Sequence, residues 1–276
     1  MNENEILTEM GKETIKQGYK DIGENMVAPT AKLLGTIPET INALLLPLNQ
    51  WIAERKYKLE ETKKLLAQKL EKVGTDNLVP PEAHIAVPAL QYISYCMDNE
   101  ELRDMYANLL ASSMNKVVKN EVHPSYVEII KQLCPDEAKI LRHLAQQEGI
   151  PLIGIRYKRP NSSDGFDIVK HFSNVGYLVH AEFPKNLPQY LDNLARLGLL
   201  NIDSTHSLTF KEFYKPLREC DDFQQMLQIP ENYQSVGYNQ VQQIDHFGVI
   251  SSFGREFCRI CITDGVPLIK KATQKS

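Results

Sequence analysis

The sequence predicts an α+β, mainly α protein: a helical N-terminal bundle over residues 1–120, followed by a winged-helix-like C-terminal domain over residues 121–276. Three observations lead there. Up to about residue 118 the apolar residues recur at helical spacing. From Leu187 onward the order becomes helix, glycine, strand, turn and strand. The 276 residues are 42% hydrophobic and 24% charged, an ordinary globular composition that excludes disordered and fibrous classes. Segments 1–75 and 135–276 are each electrically neutral, so the net charge of -4 falls in 76–134 and no basic arm for nucleic acid is present.

Ile15, Tyr19, Ile22 and Met26 recur at the period of an amphipathic helix, which Gly11, Gly18 and Gly23 weaken. Pro38 and Glu39 suit the first turn of the next helix, because proline gives up only a donor that is orphaned there and the acid meets the positive helix end. Ile37, Ile41, Leu44, Leu45, Leu48 and Trp51 form its apolar face, kinked at Pro47. Two roles for this face stay open: the core-facing or oligomer-contacting side of a bundle, or a segment that enters a lipid interface or a partner. The window from Val27 to Leu48 contains Lys32, Glu39 and three prolines, which argues against a membrane span.

Ile52, Leu59, Leu66 and Val73 are spaced by seven within a charged stretch, predicting a long surface helix that ends at Gly74 and Pro80-Pro81. Two helices follow. One presents Ala89, Ile93 and Cys96; the other presents Leu102, Met105, Tyr106, Leu109, Leu110 and Met114, with Asn99 as its N-cap. A short helix carries Tyr126, Ile129, Ile130 and Leu133, and Pro135-Asp136-Glu137 opens another through Leu144. Leu152 to Tyr157 reads as a strand.

Leu187, Tyr190, Leu191 and Leu194 share a helical face that Gly198 terminates; 199–202 reads as a strand, and Ser207 to Phe210 is expected to return against it. Val241 to Val249 alternates as a further strand, and Ser251 or Ser252 caps a last helix through Cys261. Residues 156–185 and 211–240 read as insertions. If the 187–196 helix met nucleic acid it would present Gln189, Asn193 and Arg196 beside Asp192, one base against one acid, so nucleic acid is not an expected partner.

The residue types and spacings along the chain predict no catalytic residue, metal site or cofactor. Asp136, Glu137 and Lys139 have the residue types of a metal nuclease, but adjacent acids after a proline are what a helix N-terminus favours. Cys258 and Cys261 are half of a zinc site, and His171, His180, His206 and Cys220 lack the short spacing that would complete it. His84, His123 and His143 read as structural, and phosphate-binding glycine loops and nucleophile elbows are absent from the sequence. The first ten residues carry no secretory signal and the five cysteines are scattered, so the expected location is cytoplasmic, with attachment to the inner-membrane surface left open.

Three blocks of residues carry a resemblance. They are Pro29 to Leu48 ending Leu44-Leu45-Leu46-Pro47-Leu48, the run from Leu102 to Met114, and Val122-His123-Pro124-Ser125-Tyr126 leading to Leu133-Cys134-Pro135-Asp136-Glu137-Ala138. Together they resemble the Abi-alpha, or abortive infection alpha, family of bacterial and prophage-borne proteins. The resemblance implies a defence protein against bacteriophage, without an enzymatic activity or catalytic residues; the partner expected for such a protein is a phage or host protein, or the inner-membrane surface. Homo-oligomerisation is compatible with it. The alternative function is a winged-helix DNA-binding transcriptional regulator, dimeric through the helix from Ile52 to Val73; a structural subunit of a larger assembly is the third reading.

Overall fold

A computed structural model describes residues 56–263 apart from 97, 148 and 210. The apolar face from Ile37 to Trp51 lies outside the described residues. Two compact units divide the chain: residues 56–133 with 259–263, and residues 134–258. The fold is α+β and mainly α, as expected. The short helix 125–131, expected at the start of the second domain, groups with the first unit.

The first unit contains α1 (Lys56–Val73), α2 (Ala83–Tyr95), α3 (Glu100–Ser113) and α4 (Ser125–Lys131). Along α1 the buried line is Thr62, Leu66 and Leu70, one residue per turn, with Gly74 at positive φ closing the helix. Lys69 pairs with Asp104 at 2.7 Å and Arg103 with Glu61 at 3.0 Å, joining α1 to α3. Asn99 caps α3 as expected: its side chain accepts from the Leu102 N–H at 3.0 Å. From Met105 to Met114, α3 is buried on every side and not only on the predicted stripe. A helix enclosed all round must be apolar or internally satisfied, and α3 uses both routes, with Leu109 and Leu110 beside the hydrogen-bonded Ser112 hydroxyl and Asn108 amide nitrogen, while Asn108 Oδ1 is left buried without a partner among the described residues.

The second unit opens with α5 (Pro135–Leu144) and contains a sheet built from β1 (Ile150–Lys158), β2 (Gly165–Phe172), β3 (Leu200–Asp203) and β4 (Gln240–Ile250). The order across the sheet is β2-β1-β4-β3, and every neighbouring pair is antiparallel. Between β2 and β3 lie α6 (Val175–Leu178) and α7 (Leu187–Arg196). The linker from β3 to β4 forms α8 (Lys215–Arg218), α9 (Asp221–Met226) and α10 (Glu231–Gln234), and α11 (Ser252–Cys261) follows β4.

Two expectations change here. The hairpin return at 207–210 does not form among its described residues; β3 instead pairs with β4, with Leu200 opposite Ile250. The segment 156–185, expected as an insertion, contains β2. The other insertion, 211–240, supplies the cover of one sheet face: Tyr214, Leu217 and Phe223 bury Ile153, Ile155, Tyr157 and Phe172. Helix α7 lies against β2 and β3, burying Leu187, Leu191 and Leu194, each worth roughly 1.5–3 kcal/mol. Gly198 at φ 74 then turns the chain into β3. Ser251 opens α11 by accepting from the Gly254 N–H at 2.8 Å.

Candidate functional site

Two polar clusters of the second unit are built around buried titratable side chains, Asp136 and Glu137 in one and His246 in the other. The first is the N-terminus of α5. Asp136 is 4% exposed, and its carboxylate accepts from the N–H groups of Glu182 (2.8 Å) and Phe183 (3.0 Å) and from the Tyr190 hydroxyl (3.1 Å). Burial by itself raises its pKa, but those donors, with Lys139 nearby, outweigh burial and leave it below the usual carboxylate value. Tyr190 is pushed up to about 12, first by burial and then by this bond. Glu137 is equally engaged: Oε2 accepts from the Cys134 N–H and Oε1 from the Asn193 amide, both at 2.8 Å.

The loop that Asp136 holds is built tightly. Ala181 donates its N–H back to the Gly176 carbonyl at 2.9 Å, and His180 between them takes a left-handed φ of 51. A Cβ on Gly176 would meet the Pro184 carbonyl oxygen at 2.9 Å, so the close approach of the two segments requires glycine. On this clamped loop Leu178 and Phe183 are 57% and 56% exposed, with Tyr177, also exposed, beside them and bonded to Asp222.

The second place is a cleft of about 260 Å³ over the sheet, lined among others by Gly154, Val169, His171, Ser204, Ile244 and His246. Strands β2 and β4 flank β1, roughly 10 Å apart at ordinary strand spacing, yet His171 of β2 and His246 of β4 meet at 2.9 Å, Nδ1 to Nε2. The bridge passes over Gly154 of β1, where a Cβ would lie in ordinary contact with the His246 ring at 3.8 Å and more tightly, at 3.3 Å, against the Lys170 carbonyl oxygen. His246 Nδ1 is 3.0 Å from the Ile244 carbonyl oxygen, which only accepts, so Nδ1 donates to it. His246 Nε2 is then a bare acceptor and His171 Nδ1 its donor. His171 Nε2, left with its lone pair, faces Asp192 at 3.7 Å.

The expected nucleic-acid face falls partly inside this architecture. Gln189 is exposed, whereas Asn193 is half-buried and donates to Glu137, and Arg196 donates to Asn193 Oδ1 at 2.6 Å. Cys258 and Cys261 are buried thiols, and burial pushes Cys258 up to about 12. Among the described residues no group of three or more His, Cys, Asp and Glu side chains is arranged to hold a metal ion. No helix among them is long and apolar enough to cross a membrane. His246 escaped the sequence reading because its partner lies 75 residues away and no short motif joins them.

The profile of the abortive infection alpha family matches residues 54–261, spanning both units. The chain belongs to this family. That membership makes it an abortive-infection-type defence protein. No curated protein matches it. An uncharacterized protein from the hydrocarbon-degrading marine bacterium Alcanivorax borkumensis SK2 is similar at 19% identity and a TM-score of 0.35, over 49% of this chain and 90% of that one, a likeness too slight to inform the fold. In this Abi-alpha protein, the run from Leu102 to Met114 makes up most of α3 and its C-cap, and its polar members tie down the chain's last described turn. The Asn108 amide donates to the carbonyls of Cys261 (3.0 Å) and Ile262 (3.3 Å), and the Ser112 hydroxyl to that of Ile260 (3.1 Å). These are carbonyls that a helix end leaves without intrahelical partners. The block from Leu133 to Ala138 is the opening of α5, whose acids hold the loop and α7.

Proposed function

We propose that this Abi-alpha protein is a non-enzymatic, abortive-infection-type anti-phage protein that acts by contact with a phage or host protein or with the inner-membrane surface. The observation that carries the defence role is the family match over 54–261. Two features of the second unit support contact over chemistry. Asp136 and Glu137, the acids with the residue types of a nuclease, spend their oxygens on backbone and side-chain donors of the same unit. Leu178 and Phe183 are held in solvent on a loop that is already rigid, which lowers the ordering cost of meeting a partner. The apolar face from Ile37 to Trp51 is a second contact surface on sequence grounds.

A winged-helix reading of the second unit is supported by the order helix, strand, helix, helix, strand, strand that α5, β1, α6, α7, β3 and β4 follow, with β2 and α8–α10 as insertions. On that reading α7 stands where a DNA-reading helix does. Asn193 and Arg196 are engaged with Glu137 and with each other, which favours a wing used for protein contact.

A plaque assay with and without the protein, scored also for survival of infected cells, tests the proposal. Fewer plaques with death of infected cells is the expected result. Protection with surviving cells contradicts the abortive mode, and unchanged plaque formation across a broad phage panel contradicts the anti-phage role.

A further inference from the structure

The His171–His246 bridge is a chain of directed bonds, and each nitrogen in it has one assignable state. It runs from His171 on β2 through His246 on β4 to the Ile244 carbonyl, passing over Gly154 in the strand between, and the Asp192 carboxylate of α7 stands 3.7 Å beyond its open end. We infer that this bridge is a two-stage proton switch: the first proton fastens α7 to the sheet, and the second breaks the bridge and opens the cleft above β1. The inference is independent of the contact function proposed above.

The first stage follows from the one ring nitrogen of the bridge that neither donates nor accepts, His171 Nε2. A proton there leaves the Nδ1–H bond to His246 intact and makes His171 a cation facing the Asp192 carboxylate, so the pair becomes charge-assisted and draws α7 toward β2. The second proton has only His246 Nε2 to go to. Two N–H groups would then oppose each other across the 2.9 Å contact, with both rings charged and their centroids 5.2 Å apart. His246 is 2% exposed, so water does not relieve that repulsion where it stands; the ring has to leave.

The directions of the hydrogen bonds set the order; the charged groups facing the bridge act on both rings, and their balance leans toward charge on His246. Asp192 of α7 favours charge on His171, and Lys170 of β2 opposes it; Asp245 of β4 and Asp203 of β3 favour charge on His246. Burial is the largest influence on both rings and holds each below the ordinary value of 6.5, so both are neutral at pH 7. Because the unfolded chain takes up protons nearer that ordinary value, the folded unit loses stability as pH falls below it through the depressed folded values.

Imidazole nitrogen resonances of the full-length protein, followed from about pH 7.5 to pH 4.5, test this in the wild type and in Asp192→Asn. At neutral pH both rings should be Nδ1–H tautomers. His171 should titrate first, with a midpoint lowered by at least about 0.3 pH unit in Asp192→Asn. Amide exchange at Gly154 and Ile244 should rise at least about tenfold only with the second proton. Nε2–H tautomers at neutral pH, a single shared titration near the ordinary value, or an Asp192→Asn midpoint equal to that of the wild type would overturn the inference.

Discussion

Asp136 gathers three donors on one buried carboxylate, so its removal strands two backbone N–H groups and a tyrosine hydroxyl at once. Asp136→Ala should therefore destabilise the protein by about 3 kcal/mol or more, read from urea unfolding, whereas an exposed acid such as Glu219 should cost less than about 0.5 kcal/mol. The depressed pKa of Asp136 adds a pH signature. A group whose folded pKa lies below its unfolded value contributes stability above the unfolded value and loses it as pH falls toward the folded one. Between about pH 5 and pH 3 the wild type should thus lose more stability than Asp136→Asn; equal slopes would show that the carboxylate charge does not hold the loop. Asn108 is the matching residue of the first unit. Asn108→Leu removes the donors to the Cys261 and Ile262 carbonyls and should cost about 1–3 kcal/mol despite its greater apolarity.

At the scale of elements, glycines fix where helices can meet strands. A Cβ on Gly254 in α11 would sit 2.2 Å from the Leu199 carbonyl oxygen, a backbone atom with no freedom to give way, whereas one on Gly198 would meet only the Phe253 ring at 3.9 Å. Gly198→Ala pays for its left-handed φ alone, about 1–2 kcal/mol. Gly254→Ala should lower the melting temperature more than Gly198→Ala does; the reverse order would mean that α11 can slide off β3. The elements legible in the sequence are those with local causes. Asn99 caps α3, Pro135 opens α5, and Gly198 stops α7, because each signal acts within a turn of its own position. What the sequence did not reveal depends on distant partners. The alternation of β2 is disturbed by a register shift opposite Ile155, and β3 finds β4 rather than the nearby 207–210 segment. Of the candidate site, the acids of α5 were legible as helix openers, but the loop they hold, the Asn193 bond and the histidine bridge were not, since each joins residues far apart in the chain.

Over the whole molecule, the proposed function rests on apolar surface: Leu178 and Phe183, exposed on the clamped loop, and the face from Ile37 to Trp51 at the level of sequence. The two surfaces separate experimentally. If the N-terminal face meets lipid, the wild type should float with anionic liposomes and Leu44→Asp/Leu45→Asp should not; failure of both to float removes the membrane version and leaves protein contact. The claim that contact rather than bond-making chemistry protects the cell is tested most directly by plating efficiency of phage on cells carrying Leu178→Asp/Phe183→Asp, a pair of exposed positions whose change leaves the buried core untouched. Protection lost while the variant unfolds at the wild-type temperature is the predicted result. Undiminished protection by that folded variant would contradict the account.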